Sequence, residues 1–199
     1  DDIYVAETPV PFKERIIDAL DYVSDDFNRR AFDRLVFPWC ERKAKVDEPL
    51  RYVDLCCCFG NTTMAVLHGM DVEEIRANWA DERSAETIAR PRRFPCHATG
   101  IDISANAVAY GTRTGLFDEG ITADLNAPPP ELREAVHAAL RNADVLVSTA
   151  SLVYLQPEAI AALLGAFAAA GREGYLMVNF LNPFALEKAD ATKRLLLER

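Results

Sequence analysis

The segment RYVDLCCCFGNTT, Arg51 to Thr63, constrains the fold more than any other stretch. Arg51 to Cys57 is rich in apolar and β-favouring residues and reads as a buried strand. Gly60 breaks the run. Asn61, Thr62 and Thr63 are helix-capping types, and the apolar Met64, Ala65, Val66 and Leu67 follow them. A strand that passes through an acidic residue and a tight loop into a helix offers backbone N–H groups to a nucleotide-like ligand.

The remaining chain repeats this alternation. Phe12, Ile16, Ile17, Leu20 and Val23 recur at helical spacing, which predicts a helix from Pro11 to Val23. A second helix is expected from Asp26 to Val36, stopping near Pro38, and a turn over Val46 to Pro49 before the first strand. Further strands are expected at Ala98 to Ile103, Gly120 to Leu125, Asp144 to Ser148 and Gly174 to Phe180. Helical patterns separate them: Thr62 to Met70, a stretch marked by Val72, Ile75 and Trp79, and one capped by Ser104. Pro128 to Arg141, a helix opened by Pro157, and Phe184 to the end complete the set. The expected fold is therefore α/β: a Rossmann-like, doubly wound, mainly parallel sheet in three αβα layers with an N-terminal helical extension. Residues 1–48 would form that extension, or lid, and residues 49–199 the ligand-binding domain.

Charge and composition narrow the partners. Half the residues are apolar, enough for a full core, and the formal net charge is −9 with no Lys/Arg cluster. A nucleic-acid or anionic-membrane surface needs a basic footprint, so neither is expected. The N-terminus has no basic region or apolar signal core, and it lacks a starting Met, which suggests a piece of something longer. Five Cys, three of them adjacent, fit reduced thiols in a cytoplasmic setting better than a disulfide framework.

Polar residues stand at four strand ends in order. Asp54 leads with the loop Cys56 to Gly60, then comes Asp102 in TGIDIS, Asp124 in ITADLN, and Ser148-Thr149 in DVLVSTASLVYL. In an open parallel sheet, ligands bind outside the carboxyl ends of the strands, where strand order reverses. From about Arg51 to Phe184 this pattern resembles the class I S-adenosylmethionine-dependent methyltransferases. The resemblance implies a seven-stranded sheet, S-adenosylmethionine as cofactor, and a small-molecule methyl acceptor. It implies that Asp102, with Ile103, meets the ribose hydroxyls. It places Asp124 at the adenine amino group and the Leu125 backbone at a ring nitrogen, and it places Ser148 and Thr149 beside the methyl-transfer site. Asp54 either holds the ligand's amino group or satisfies loop N–H groups. Ser151, Tyr154, Asn179 and Asn182, with Tyr22 from the extension, would contact substrate. Tyr4, Phe12, Tyr22 and Phe27 would give the lid an aromatic face.

The sequence departs from the family twice. Cys56 and Cys58 stand where the family has Gly. Cys adopts positive φ only at a cost, so both are expected to keep negative φ while Gly60 makes the turn. After Phe180 the family adds an antiparallel strand pair, whereas the residues here read as helix. Either the sequence is a truncated piece or the fifth strand is an edge, and such an edge is expected to be covered by the last helix or by a partner chain, as in a homodimer.

Other readings are weaker. Strand alternation separates Cys57 from Cys56 and Cys58, and adding Cys96 and His97 matches no usual zinc spacing, so no metal is expected. The triplet reads as small buried hydrophobes, without the His/acid partner that a nucleophile needs. Neither His68, near a helix end that favours a cation, nor His97 or His137 is well placed as a general base. Trp39 and Trp79 read as core or interface. An NAD(P)-dependent oxidoreductase is the alternative enzyme, but the G-x-G-x-x-G fingerprint is absent. A catalytically inactive, methyltransferase-like interaction subunit is the non-enzymatic alternative.

Overall fold

The structure is a computed structural model that describes residues 2–44, 49–169, 171, 173–180 and 186–197. The expected turn over Val46 to Glu48, the boundary at residue 48, and Asn182 lie outside the described residues.

Five parallel strands form one sheet: β1 (Leu50–Leu55), β2 (Cys96–Asp102), β3 (Glu119–Thr122), β4 (Val145–Ser148) and β5 (Tyr175–Val178). Their order is β3-β2-β1-β4-β5. The helices are α1 (Val10–Phe12), running into a π-helical turn at Lys13–Asp18, α2 (Ser24–Leu35), α3 (Phe37–Lys43), α4 (Asn61–Leu67), α5 (Val72–Asn78), α6 (Ala105–Arg113), α7 (Pro130–Asn142), α8 (Pro157–Ala168) and α9 (Leu186–Leu197). This is an α/β, Rossmann-like layout with helices at the N-terminus. Strand order reverses between β1 and β4, and the carboxyl ends of those two strands are where an open parallel sheet places its ligand crevice. Among the described residues no helix is long and apolar enough to cross a membrane.

Strand alternation divides the core in two. Tyr52 faces a cluster with Phe12, Phe32, Phe59, Met64 and Trp79, so the N-terminal helices share the core of the sheet's first face. Val53 and Leu55 face the other side, with Ile101, Val136, Leu140 and Ile160. Trp79 is fully buried, and its Nε1–H donates to the Tyr110 hydroxyl at 2.9 Å, which donates on to the Ala85 carbonyl at 2.8 Å. Gly100 and Gly111 admit the Phe117 ring, because a Cβ at Gly100 would lie 2.5 Å from ring carbons and one at Gly111 2.3 Å. Gly100→Ala is therefore expected to lower unfolding stability by about 1–3 kcal/mol through overpacking, read from urea midpoints.

Several boundaries differ from the expected ones, each for a local reason. β1 ends at Leu55, not Cys57, because Cys56 turns to φ 58°. The first helix ends near Asp18, and Asp21 at φ 46° breaks the path to Val23. Pro38 starts α3 rather than ending the helical region, since a first-turn residue needs no amide hydrogen. β3 stops at Thr122, where the Asp124 carboxylate accepts the Asn126 N–H at 3.0 Å and bends the chain. Among the described residues β5 pairs with β4 alone, and α9 packs on α8 and on the turn at Leu152–Tyr154.

Candidate functional site

The loop after β1 corrects one expectation. Cys56 and Cys58 both take positive φ, 58° and 48°, and Gly60 follows at 85°. Specific bonds fix this path. The Cys57 N–H donates to the Ile101 carbonyl at 3.0 Å, and the Cys58 N–H donates to Asp102 Oδ2 at 2.8 Å. A charge-assisted bond of this kind, worth about 1.5–3 kcal/mol, offsets the roughly 1–2 kcal/mol that the left-handed conformation of Cys58 costs. Burial pushes the Cys56 thiol up to about 12 and those of Cys57 and Cys58 well above their usual range. All three therefore stay protonated near neutral pH, which argues against a nucleophile.

Three carboxylates surround this loop. Asp54, 1% exposed, lies beneath it and accepts the Thr63 hydroxyl at 2.7 Å; the Tyr52 hydroxyl meets the same Thr63 oxygen at 3.1 Å. Burial raises Asp54 to about 8, the Thr63 bond opposes this, and the charges of Asp25 and Asp102 add to it. Asp54 thus ties the end of β1 to the first turn of α4. Asp102 joins two loops, its Oδ2 on Cys58 and its Oδ1 accepting the Ser104 N–H at 2.8 Å; burial raises it. Asp25, which the sequence did not single out, reaches across from α2. It accepts Asn61 Nδ2 at 2.7 Å and the Thr62 hydroxyl at 2.9 Å, at the opening of α4, and burial raises it to about 6. No Lys, Arg or His pairs with any of the three among the described residues.

The carboxyl ends of β4 and β5 bring most of the remaining expected residues together. The Ser148 hydroxyl bonds the Leu55 carbonyl at 3.0 Å and the Ser151 hydroxyl at 2.7 Å, and Ser151 also contacts the Cys56 thiol. Thr149 accepts Asn28 Nδ2 at 2.7 Å. Asn179 donates to Asn28 Oδ1 at 3.3 Å and accepts the N–H of Ala150, a residue at φ 58°, at 2.5 Å. Asn28 is the second residue missed in the sequence. Asp25, Asn28 and Phe32 form one buried face of α2, so the N-terminal helices close over the crevice. The only sequence signal was that spacing, and it did not say what the face meets.

The rim is aromatic. Tyr22 is half-buried beside Asp25 and Cys58. Tyr4 lies near Cys58, Asp102 and Tyr154, with its carbonyl bonded by the Ser104 hydroxyl, while Asn106 Nδ2 holds the Val5 carbonyl at 2.7 Å. Tyr154 is 69% exposed, and its carbonyl accepts Asn126 Nδ2 at 3.2 Å, which brings the segment after β3 beside it. There Asp124 is exposed and Leu125 buried; Ile103 is exposed next to Asp102. Phe12 is core, and Phe27 faces solvent, stacked under Arg30 rather than over the crevice.

None of the three histidines serves the crevice. His68 bonds the Arg90 carbonyl through Nδ1 at 2.5 Å, and burial lowers its pKa, so it is held neutral rather than as a helix-end cation. His97 lies at the amino end of β2, 3.6 Å from Glu119, and His137 is half-buried on α7. Among the described residues no three His, Cys, Asp or Glu side chains converge as a metal site.

No family model, curated protein or solved structure matches the chain.

Proposed function

We propose that the chain binds S-adenosylmethionine in the crevice outside β1 and β4 and transfers its methyl group to a small-molecule acceptor. The observation that carries this reading is the acidic lining of the crevice: Asp102 on the Cys58 N–H and Asp25 at the opening of α4 have no basic partner among the described residues. Such surroundings favour a ligand bearing positive charge and hydroxyl donors. They oppose the pyrophosphate of a dinucleotide, whose two negative charges would meet Asp25 at the opening of α4. The nicotinamide alternative loses support on that ground.

Bound there, S-adenosylmethionine supplies a methyl group already activated on a sulfonium. The protein's tasks are orientation and exclusion of water. In this reading Asp102 uses its unshared lone pairs on the ribose hydroxyls, and the Asp124–Leu125 segment and Ile103 flank the adenine. Ser148, Thr149, Ser151 and Asn179 form a rigid floor, since each already bonds a neighbour. Tyr22 and Tyr154 border the acceptor. A general base is needed only for an acceptor that must lose a proton.

Calorimetric titration with S-adenosylmethionine, S-adenosylhomocysteine and NAD tests the proposal. Micromolar binding of both adenosyl ligands, with no heat from NAD, is the expected result. A folded chain that binds neither adenosyl ligand would overturn it.

A further inference from the structure

A second opening lies at the other end of the sheet. A cleft of about 210 Å³ separates α7 from the amino halves of β1, β2 and β3. It exists because α7 presents Ala135, Ala138 and Ala139 toward the sheet, where larger side chains would fill the space. Val53 and Thr99 form its floor. Parallel register sets the walls: Arg51 stands opposite His97, and Thr99 stands opposite Glu119.

The charges at its mouth are unmatched. The Arg51 backbone is anchored, its N–H donating to Asp144 Oδ2 at 2.8 Å, yet no described residue partners its guanidinium. Across the cleft, the Glu119 carboxylate has no Lys or Arg partner among the described residues; its neighbour is the His97 ring at 3.6 Å. One cation without a described partner and one carboxylate whose neighbour is the His97 ring therefore flank a single cavity, and the side chains of Thr99 and Asn142 also line it. Such a pair complements a small molecule whose own ends carry opposite charge.

We infer that this cleft binds a free amino acid as its zwitterion, with the carboxylate on Arg51 and the ammonium on Glu119. A guanidinium takes a carboxylate through two parallel N–H bonds, which fixes the ligand's direction. The small volume under α7 limits the ligand to a short side chain. The site is remote from the crevice and does not depend on what the crevice binds.

L-alanine is the probe, titrated into the full chain by calorimetry. N-acetylalanine, which lacks the ammonium, and alaninamide, which lacks the carboxylate, are its controls. The expected dissociation constant is on the order of 1 mM, with each control at least about tenfold weaker. Arg51→Gln should lower alanine affinity by about tenfold or more. Ala138→Leu fills the cavity without removing either charge, and it should abolish binding while the chain still melts cooperatively. Three results would each overturn the inference: no alanine binding to the folded chain, equal binding of a control, or alanine binding that survives in folded Ala138→Leu.

Discussion

Asp102→Ala should eliminate measurable S-adenosylhomocysteine binding and also destabilise the fold. The two effects have one origin. Asp102 accepts the Cys58 N–H and the Ser104 N–H, so its loss leaves two donors without a partner and frees the Cys56–Phe59 loop from its left-handed path. Bonds to a charged acceptor contribute about 1.5–3 kcal/mol each, and a net loss of about 2–4 kcal/mol is expected in urea unfolding. Affinity should fall by more than about 100-fold, because the carboxylate that would meet the ribose and the loop that would meet the rest of the ligand go together. Asp102→Asn separates the contributions. It keeps one oxygen for one N–H but turns an NH2 group toward the other donor, so stability should recover in part while affinity stays low. If Asp102→Ala unfolds at the wild-type midpoint, the loop is held by something else. If its folded fraction binds the adenosyl ligand normally, Asp102 does not face it.

The elements visible in the sequence were those set by short-range pattern. Apolar runs alternating with helical periods gave all five strands and their order of polar ends, because a buried parallel strand needs a continuous apolar stretch and its ligand residues must follow it. Ser104 was legible as a cap for the same local reason, and its hydroxyl accepts the Ala107 N–H at 3.3 Å. Residues that act across the fold were not legible. Asp25 read as an ordinary first-turn acid of a surface helix, since nothing near it in sequence says that α4 lies opposite. Asn28 was hidden likewise, its partner Thr149 being distant in the chain. Cys56 and Cys58 were misjudged because intrinsic preference opposes positive φ, and the acceptors brought in by β2, the Ile101 carbonyl for the Cys57 N–H and the Asp102 carboxylate for the Cys58 N–H, hold the loop against it. The cleft beneath α7 depends on three alanines meeting a sheet, and a helical pattern of small residues does not by itself show a void.

Those long-range contacts also change what the N-terminal helices are for. Through Asp25 and Asn28, α2 bonds the opening of α4 and the ends of β4 and β5, the elements that frame the crevice. Any motion that opened α2 would expose two unpaired side-chain sets at once. Opening of this end of the sheet is thus tied to one helix rather than to a loose strap.

Raising the pH from about 6.5 to about 8 should destabilise the protein by about 1–2 kcal/mol, and Asp54→Asn should remove most of that fall. Burial, with the charges of Asp25 and Asp102 behind it, lifts Asp54 from its ordinary carboxylate value to about 8 in the folded state, against the pull of the Thr63 hydroxyl. The unfolded chain releases this proton near pH 4, whereas the folded chain keeps it until about pH 8. Between those values the native state holds more protons than the unfolded state, so stability drops as pH rises, and the contribution is gone above the folded value. Asp25 acts in the same direction but is finished by about pH 6. His68 acts oppositely: its lowered pKa means that acidification below its ordinary value costs stability. The interval above about pH 6.5 therefore isolates Asp54 from both. Asn at position 54 keeps an oxygen for the Thr63 hydroxyl and carries no charge, so urea midpoints for the variant should be nearly flat across the interval. A wild-type midpoint that rises with pH there, or a variant that falls as steeply as wild type, would show that Asp54 ionises without the burden its burial implies.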